Sequence, residues 1–324
     1  MNQPSIGLVF PGQGTQKAGM GEVWRDTPSW KLTESLSEAT GEDLSELLLH
    51  TPAEQLLRTD LAQLTVFAVG VVAHAEMMRR DVLPGTVVAC AGHSLGEYTA
   101  LVAAGALTVD AAARLVAARG RAMRDATRMR EGTMGVLVAA PLPDVTELVR
   151  ELRDEGAELW VANVNAPGQT VVSGSAEGIE LAAERAPSIG AKAIRLKVAG
   201  AFHSPYMAPA ADALRLALRD TVFAPAHLPV VANVDARPHG GDGDWPELAA
   251  RQLTSPVLWE QSVRTLTEEL GCRRLVELGP GSTLAGMIRR IAPAIEVLSV
   301  DGPDALPTDR VTRGVHDDAG REGR

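Results

Sequence analysis

The chain has 324 residues, of which 45% are hydrophobic and 22% charged, so it is long and apolar enough to bury a large core. Its formal net charge of -10 argues against a nucleic-acid-binding function, for which a basic face is expected. The polar start, Met1 to Ser5, and the lack of a long apolar stretch predict neither a signal peptide nor a membrane span. Cys90 and Cys272 both lie in apolar runs, which indicates buried thiols and a cytoplasmic protein.

The first part of the chain predicts a strand, several helices and a second strand. Residues Ile6 to Phe10 form a short buried strand that ends in the glycine-rich turn PGQGTQ. Helical segments follow from about Met20 to Arg80, with a long helix near Leu61 to Arg80. The continuous apolar run TVVACAG (86–92) predicts a buried parallel strand. Alanine-rich helical spacing follows Ser94, which therefore lies between a strand and a helix.

The segment from 132 to 198 has a different pattern of predicted strands and helices. It reads as strand (133–140), helix, strand, turn, strand, helix and a fourth strand, KAIRLKV. This order, β-α-β-β-α-β, is that of the ferredoxin-like unit. The segment is therefore predicted to be a small domain inserted into a larger α/β domain.

The larger α/β domain is predicted to resume after the insert. A helix near Pro209 to Asp220, a strand at 228–234 and a helix near Ala249 to Glu269 precede a last strand, RRLVELG. We therefore expect residues 1–131 and 199–300 to form the large subdomain and 132–198 the small one. The polar, aperiodic residues 301–324 predict a mobile tail.

The segment GHSLG (92–96) fits G-x-S-x-G, the pattern of a nucleophile elbow. In an elbow the serine lies at the tip of a strained turn, and glycines stand where side chains would collide with the neighbouring strand and helix. The turn also places the serine oxygen at a helix N-terminus, where free N–H groups favour a developing anion. A coincidental pair of glycines is the alternative, since the pattern alone is weak. The strand before it and the helix after it favour Ser94 as a nucleophile.

A serine nucleophile needs a general base. Among seven histidines, His203 in VAGAFHSPYMAPA is the best candidate, because it lies at the seam between the two units, where clefts form. His93 is expected to point away from the elbow, and His74 lies in an apolar helix. No acidic residue stands out as the third member of a triad, so a neutral group could orient the base in a Ser–His dyad.

Two further features could serve the same site. The turn FPGQGTQ (10–16) fits neither a dinucleotide-binding nor a Walker pattern, so it is either a rigid turn offering a backbone N–H to an oxyanion or a simple tight turn. Arg119 is a solvated helix arginine by its ordinary interpretation, but its apolar neighbours favour a buried arginine with an anionic partner. A guanidinium suits a carboxylate because it offers a planar two-point fork.

Together these segments resemble the malonyl-CoA:acyl-carrier-protein transacylase family, which includes the acyltransferase domains of polyketide synthases. The resemblance covers about residues 5 to 300 and is carried by motifs in the family's order and spacing: FPGQGTQ, GHSLGEY, RGRAM, NAPGQTVVSG, AFHSPYM, QLTSPVLW and ELGPGSTL. It implies an α/β-hydrolase-like core with an inserted ferredoxin-like small subdomain. It also implies transfer of a malonyl group from coenzyme A, through a seryl ester, to the phosphopantetheine thiol of an acyl carrier protein, with no metal and no other cofactor.

The resemblance also implies roles for the catalytic residues. Ser94 would be the acylated nucleophile and His203 the general base. The family has no triad acid; a main-chain carbonyl at the position of Gln252 would orient the histidine. Backbone amides of Gln13 and Leu95 would form the oxyanion hole.

The resemblance assigns the acyl group's surroundings as well. Arg119 would hold the free carboxylate of the malonyl group, and Met123 and Asn165 would line the acyl or pantetheine channel. Phe202 resembles the residue associated with malonyl over methylmalonyl, where a smaller serine leaves room for a methyl branch. Leu95 in the elbow also resembles the residue found in members that select malonyl.

The sequence departs from the family's pattern in two places that concern acyl specificity. Members often have TQPA where this chain has AQLT (62–65), so Leu64 replaces proline beside a retained Gln63. Polyketide-type malonyl domains often carry a histidine three residues before the base, where this chain has Gly200. Segments such as GQGTQKAGMG and VVSGSAEG resemble polyketide synthase domains. We nevertheless expect a free-standing enzyme that is not fused to a ketosynthase. A free-standing acyltransferase for polyketide or fatty-acid biosynthesis is therefore the leading hypothesis.

Other functions stay open from the sequence. The chain could move a non-malonyl acyl group between two carrier proteins, act as an editing or lipase-like hydrolase, or bind a carrier protein without catalysis. Acyl-CoA and an acyl carrier protein are the expected partners of a monomer that binds neither nucleic acid nor membrane. Because carrier proteins are acidic, basic residues are expected at the cleft mouth, and Arg289 and Arg290 are candidates, although solvated helix arginines are their ordinary interpretation.

Overall fold

Two sheets organise the fold, and the first belongs to the large unit. The computed structural model describes residues 4–83, 85–241 and 243–307. The elements before the small unit are β1 (Ser5–Phe10), α1 (Leu32–Thr40), α2 (Leu44–Leu49), α3 (Thr59–Arg80), β2 (Thr86–Gly92), α4 (Gly96–Ala103) and α5 (Val109–Met129).

The small unit has its own sheet with two helices on one face. Its elements are β3 (Thr133–Val138), α6 (Leu142–Asp154), β4 (Leu159–Ala166), β5 (Gln169–Gly174), α7 (Ala176–Arg185) and β6 (Lys192–Arg195). The strands pair antiparallel in the order β4-β5-β3-β6. The predicted β-α-β-β-α-β order of a ferredoxin-like unit is confirmed.

The chain then returns to the large unit. The remaining elements are α8 (Ala208–Arg219), β7 (Val230–Val231), β8 (Pro238–His239), α9 (Trp245–Gln252), α10 (Trp259–Arg264), a π-turn over Thr265–Glu269, β9 (Arg274–Leu278), α11 (Thr283–Ile291) and β10 (Glu296–Val300). The strands of this unit form one sheet in the order β10-β9-β1-β2-β7-β8. All neighbours in it are parallel except β7 and β8. The predicted α/β-hydrolase-like core with a ferredoxin-like insert is confirmed.

The carboxyl ends of the parallel strands meet at one edge of the large sheet. The glycine-rich turn follows β1, the serine elbow follows β2, and Asn233 follows β7. Ligands bind outside this edge in open α/β sheets. The fold thus brings three distant sequence segments to one place.

The small unit closes over that edge because its sheet has two apolar faces. Leu137 and Val172 pack against α6 and α7, whereas Val136 and Val171 face the core of the large unit. A backbone bridge fastens the units: Val257 pairs with Asn163 of β4. The cleft between the two units lies directly above the elbow.

One predicted element is wrong. The helix near Ala249 to Glu269 is two helices, because α9 ends at Gln252 and α10 begins only at Trp259. Pro256 lies in the connection, where its missing N–H and its steric effect on the preceding residue disfavour helix.

Two further predictions need correction in extent. The strand at 228–234 is only two residues long in β7, since the chain turns after Ala232. The tail prediction is wrong for its first residues: Leu306 is buried in the core, and Arg80 donates to the carbonyl of Pro303 at 2.9 Å. The rest of that prediction, 308–324, lies outside the described residues.

α3 is the most apolar long helix of the chain. By length and composition alone it could cross a membrane. Threonine, glutamine and histidine interrupt its apolar run, so the helix did not stand out as a span in the sequence. Within the fold, 83% of its most apolar window is buried. α3 is therefore placed as the central helix of the large unit.

Candidate active site

The serine elbow is formed as the glycine pattern predicts. Ser94 has φ +50°, in the left-handed region, at the turn between β2 and α4. A Cβ on Gly92 would overlap the backbone of Gly96 and Glu97, and one on Gly96 would overlap the carbonyl of Phe10. Both glycines are therefore required by backbone-to-backbone contact.

Gly92→Ala should lower the free energy of unfolding by about 3 kcal/mol, because the backbone that meets the new methyl group cannot rotate away. Urea unfolding followed by fluorescence measures the change. Gly286→Ala on α11 is the matched control: its Cβ would meet nothing within 4 Å, so stability should stay unchanged or rise slightly. Equal stability of the two variants would contradict the tight-elbow interpretation.

A chain of hydrogen bonds leads from the serine to a helix end. Ser94 Oγ lies 2.8 Å from His203 Nε2, and His203 Nδ1 lies 2.9 Å from the carbonyl oxygen of Gln252. That carbonyl is available because α9 ends at Gln252, and the last carbonyls of a helix lack partners within it. The histidine thus donates through Nδ1 and is left with Nε2 to accept the serine proton.

The imidazole of His203 is buried and neutral. Burial, with the charge of Arg119 as a second cause, lowers the pKa of His203 to about 3. At neutral pH the ring therefore carries no proton on Nε2 and can act as a base. Its φ of +57° shows that the surrounding structure holds the residue in a strained conformation.

Two backbone N–H groups lie beside the serine without a partner. Within the described part of the chain, the N–H groups of Gln13 and Leu95 form no hydrogen bond. The N–H of Ser94, in contrast, donates to Asn233 Oδ1 at 2.6 Å. Gln13 lies on the turn after β1, where Gly12 is needed because a Cβ would overlap the carbonyl of His93. The pair can receive an oxyanion without losing any bond.

Arg119 lies at the base of the cleft with 1% of its surface exposed. Its Nη1 donates to Gln63 Oε1 at 2.6 Å, and its Nη2 donates to Gln252 Oε1 at 2.8 Å and to Ser94 Oγ at 3.1 Å. The expected anionic partner is absent among the described residues: these hydrogen-bond partners are all neutral, and the Nε–H is buried with no partner. A buried charge without a bound anion is costly, so the guanidinium favours an anionic ligand.

A cavity of about 390 Å³ joins these groups. It is lined by seven of the nine residues that the sequence placed at the site: Gln13, Ser94, Arg119, Met123, Asn165, Phe202 and His203. The other two, Leu95 and Gln252, are fully buried behind it. Asn165 Oδ1 lies 2.9 Å from His93 Nε2, and Met123 Sδ accepts from Gln63 Nε2 at 3.2 Å. A volume of this size suits a small acyl group with part of its carrier arm.

Comparison with known proteins identifies the family. The family model described as "Acyl transferase domain" matches residues 8–300. The malonyl CoA-acyl carrier protein transacylase of Bacillus subtilis (strain 168) is 36% identical over 304 residues, which cover 93% of this chain and 95% of that protein. The chain belongs to the malonyl CoA-acyl carrier protein transacylase family. A polyketide biosynthesis member, BaeC of Bacillus velezensis, is 37% identical over 294 residues, 88% of this chain and 96% of the relative.

The transacylase fold is also found among solved structures. A type II PKS acyl-carrier protein has been solved in complex with its malonyl-transacylase, PlMCAT:AntF (holo). The matching chain has a TM-score of 0.88 and 33% sequence identity, with 93% of this chain and 97% of that chain covered. Such coverage means that the whole described core, both units included, follows the transacylase architecture.

Sequence reasoning missed part of this transacylase site. Asn233 and Glu97 are both buried and bond to the elbow or to each other, and His93 lines the cavity although it was expected to point elsewhere. Asn233 could have been found from its place after a strand at the carboxyl edge of the sheet. Glu97 could have been found as an acidic residue inside an apolar helix start.

Basic residues lie in the transacylase cavity and between its two units. Lys197 lines the cavity, and Arg290 donates to Gln169 Oε1 and to the carbonyl of Pro167, both at 2.7 Å, across the units. Those acceptors are neutral, so neither contact pairs Arg290 with an anion. Within the residues that the structure describes, no group of three or more His, Cys, Asp or Glu side chains could hold a metal ion.

Proposed function

We propose that this transacylase moves a malonyl group from coenzyme A to the phosphopantetheine thiol of an acyl carrier protein, with Ser94 as the acyl carrier of the enzyme. One observation supports it above the others: a Ser–His pair lies in hydrogen-bond contact with a buried arginine that has no anionic hydrogen-bond partner. The dyad accounts for acyl transfer, and the guanidinium accounts for an acyl group that ends in a carboxylate.

Acylation begins when Ser94 Oγ attacks the thioester carbonyl while His203 Nε2 takes its proton. The carbonyl oxygen becomes an oxyanion, which accepts hydrogen bonds from the N–H groups of Gln13 and Leu95. A single such donor contributes about 3 kcal/mol to the transition state. The C–S bond then breaks, coenzyme A leaves with the proton from His203, and the malonyl group stays on Ser94 as an ester.

Transfer repeats these steps with a different thiol. His203 takes the proton of the phosphopantetheine thiol, the thiolate attacks the ester, and the oxyanion forms in the same place. The C–O bond to Ser94 breaks and the serine oxygen recovers its proton from the imidazolium. The carbonyl of Gln252 holds the ring in one tautomer through both halves, so no acidic third residue is needed.

The acyl group is selected at its free carboxylate and at its central carbon. Arg119 pairs with the free carboxylate and holds the ester in one pose, which restricts attack by water. Phe202, 6% exposed, lines the cavity, and we expect it to fill the space that a methyl branch would need. Met123 and Asn165 line the remaining wall. We expect malonyl to be preferred over methylmalonyl and over neutral acyl groups.

The partner and the setting follow from the family. Acyl carrier proteins are the acceptors named for the relatives, and one relative is named for polyketide biosynthesis. The charges of Lys197 in the cavity and of Arg290 between the units suit an acidic partner, although the chain is acidic overall. We place the enzyme in the cytoplasm, in fatty-acid or polyketide biosynthesis.

The deciding experiment exposes the enzyme to malonyl-, methylmalonyl-, acetyl- and longer acyl-CoA donors and records the intact mass of the acyl-enzyme. Malonyl-enzyme should form fastest, and added holo carrier protein should then take the group. Apo carrier protein, which lacks the thiol, is the matched control. Release of free acid without transfer would instead indicate a hydrolase, and labelling only from acyl carrier donors would indicate a carrier-to-carrier transferase.

A further inference from the structure

Glu97 is a buried acidic residue that the reaction steps above do not use. It lies in the first turn of α4, three residues after the nucleophile, with 1% of its surface exposed. Its Oε2 accepts from the backbone N–H of Asn233 at 2.7 Å, and its Oε1 accepts from Gln252 Nε2 at 2.8 Å. It forms no salt bridge with any residue that the structure describes. Burial raises the pKa of the Glu97 carboxyl to about 8, whereas the two donors and the nearby charge of Arg119 favour its ionised form.

The Gln252 side chain stands between Glu97 and Arg119. Its Nε2 donates to Glu97 and, at 3.0 Å, to the carbonyl oxygen of Ser94, whereas its Oε1 accepts from Arg119 Nη2 at 2.8 Å. The carboxamide therefore faces acceptors with its nitrogen and a donor with its oxygen. This is the only orientation in which each of the three contacts joins a donor to an acceptor.

We propose that Glu97 is a positioning residue: it fixes the orientation of the Gln252 carboxamide and balances the charge of Arg119 from one side chain away, which leaves the guanidinium open to a substrate carboxylate. The proposal rests on the proposed function, in which Arg119 binds that carboxylate. A carboxylate in direct contact with Arg119 would occupy the same donors as the substrate. The interposed carboxamide avoids this competition.

The donor and acceptor pattern requires two accepting oxygens on residue 97, which a carboxylate supplies and a carboxamide does not. The N–H of Asn233 belongs to the backbone and cannot reverse, so a glutamine at position 97 must turn its oxygen toward it. Its NH2 group would then face the NH2 group of Gln252. Relief of that clash requires Gln252 to flip, which would point its NH2 group at the Arg119 guanidinium and its oxygen at the carbonyl of Ser94. The neutral, equal-sized side chain would therefore disturb the arginine without opening a cavity.

Glu97→Gln should lower the preference for malonyl-CoA over acetyl-CoA, measured as the ratio of kcat/KM, about tenfold, on the scale of one hydrogen bond to a charged group. Inactivation by a neutral sulfonyl fluoride reports the reactivity of Ser94 without any carboxylate and should change much less. Glu76→Gln is the matched control: Glu76 is a buried glutamate on α3, bonded to Arg79, Arg80 and Ser29. That variant should keep the wild-type ratio.

A double substitution covers the case in which the single variant does not fold. E97Q/Q252E keeps the net charge and gives the carboxamide at 97 an acceptor, but places the carboxylate directly against Arg119. The protein should fold, with the malonyl preference as low as in the single variant. A double variant with the wild-type ratio would overturn the proposal, because separation of the two charges would then have no effect.

Two other results would also overturn it. If Glu97→Gln kept the wild-type ratio of kcat/KM for malonyl-CoA over acetyl-CoA, the charge of Glu97 would have no role in selection. If the rates with both donors and the rate of Ser94 sulfonylation fell equally, Glu97 would only support the structure of the elbow. Failure of the proposed function has a different signature: the wild-type enzyme itself would show no malonyl preference, or Arg119→Ala would keep it. Failure of this proposal is therefore seen in the Glu97 variants, whereas failure of the proposed function is seen in the wild-type enzyme or in Arg119→Ala.

Discussion

Ser94→Ala should abolish formation of the malonyl-enzyme, with the rate of transfer reduced by about 10⁴-fold or more, the scale on which loss of a catalytic serine acts. The hydroxyl lies 2.8 Å from His203 Nε2, and no other hydroxyl of the described residues forms a hydrogen bond with that base. Intact mass after incubation with malonyl-CoA measures the loss directly. The fold should persist, because alanine fits wherever the serine Cβ already lies.

Ser173→Ala is the matched control for that substitution. Ser173 is fully buried on β5, and its Oγ has no hydrogen-bond partner, so its removal should leave acylation unchanged and stability equal or higher. A normal acyl-enzyme mass in Ser94→Ala would contradict the assignment of the nucleophile. Loss of acylation in both variants would point to damage of the fold instead.

The elbow could be predicted from the sequence because its requirements are local. Gly92 and Gly96 stand two residues either side of Ser94, and the collisions that forbid other side chains involve the adjoining strand and helix. The ferredoxin-like unit could be predicted for the same reason, since each strand and helix shows its own period. Periodicity, however, says nothing about which side chains meet across the fold.

The parts that the sequence did not yield depend on contacts between distant segments. Glu97 and Asn233 are 136 residues apart, yet the carboxylate of one accepts from the backbone of the other. The side chain of Gln252 was also missed, because the resemblance concerns its carbonyl only. The break after α9 escaped notice because the flanking segments both look helical, although Pro256 marks the place.

In the proposed function, Arg119 also links acyl specificity to the basicity of His203. The charge of Arg119 is the second cause of the lowered pKa of His203, after burial. A malonyl carboxylate bound to Arg119 would offset that charge, so we expect the imidazole to become a stronger base when the correct acyl group is in place. A neutral acyl group leaves the charge uncompensated. The arginine can therefore favour malonyl in the chemical step as well as in binding.

Arg119→Ala should lower kcat/KM for malonyl-CoA about a hundredfold, on the scale of a lost pair of charged hydrogen bonds, while acetyl-CoA becomes a relatively better donor. The reason is the lack of any other cation in bonding contact with Ser94 in the described structure. Rates of acyl-enzyme formation from the two donors, measured on the same preparation, give the ratio. Stability should fall as well, because Gln63 and Gln252 each lose a buried donor.

Arg124→Ala is the matched control for Arg119→Ala. It removes a positive charge from the same helix but leaves the proposed carboxylate-binding group in place. Arg124 lies on α5 as Arg119 does, but it pairs with Asp60 and Asp125, and it does not line the cavity. Its removal should lower stability by about 1–3 kcal/mol, because the buried Asp60 then keeps only Arg58 as a charged partner, and should leave the malonyl preference intact. If Arg119→Ala preferred malonyl by the wild-type ratio, the buried guanidinium would have a structural role only. If it loses that preference and Arg124→Ala does not, the selection of a dicarboxylic acyl group rests on the one cation that the fold holds against the nucleophile.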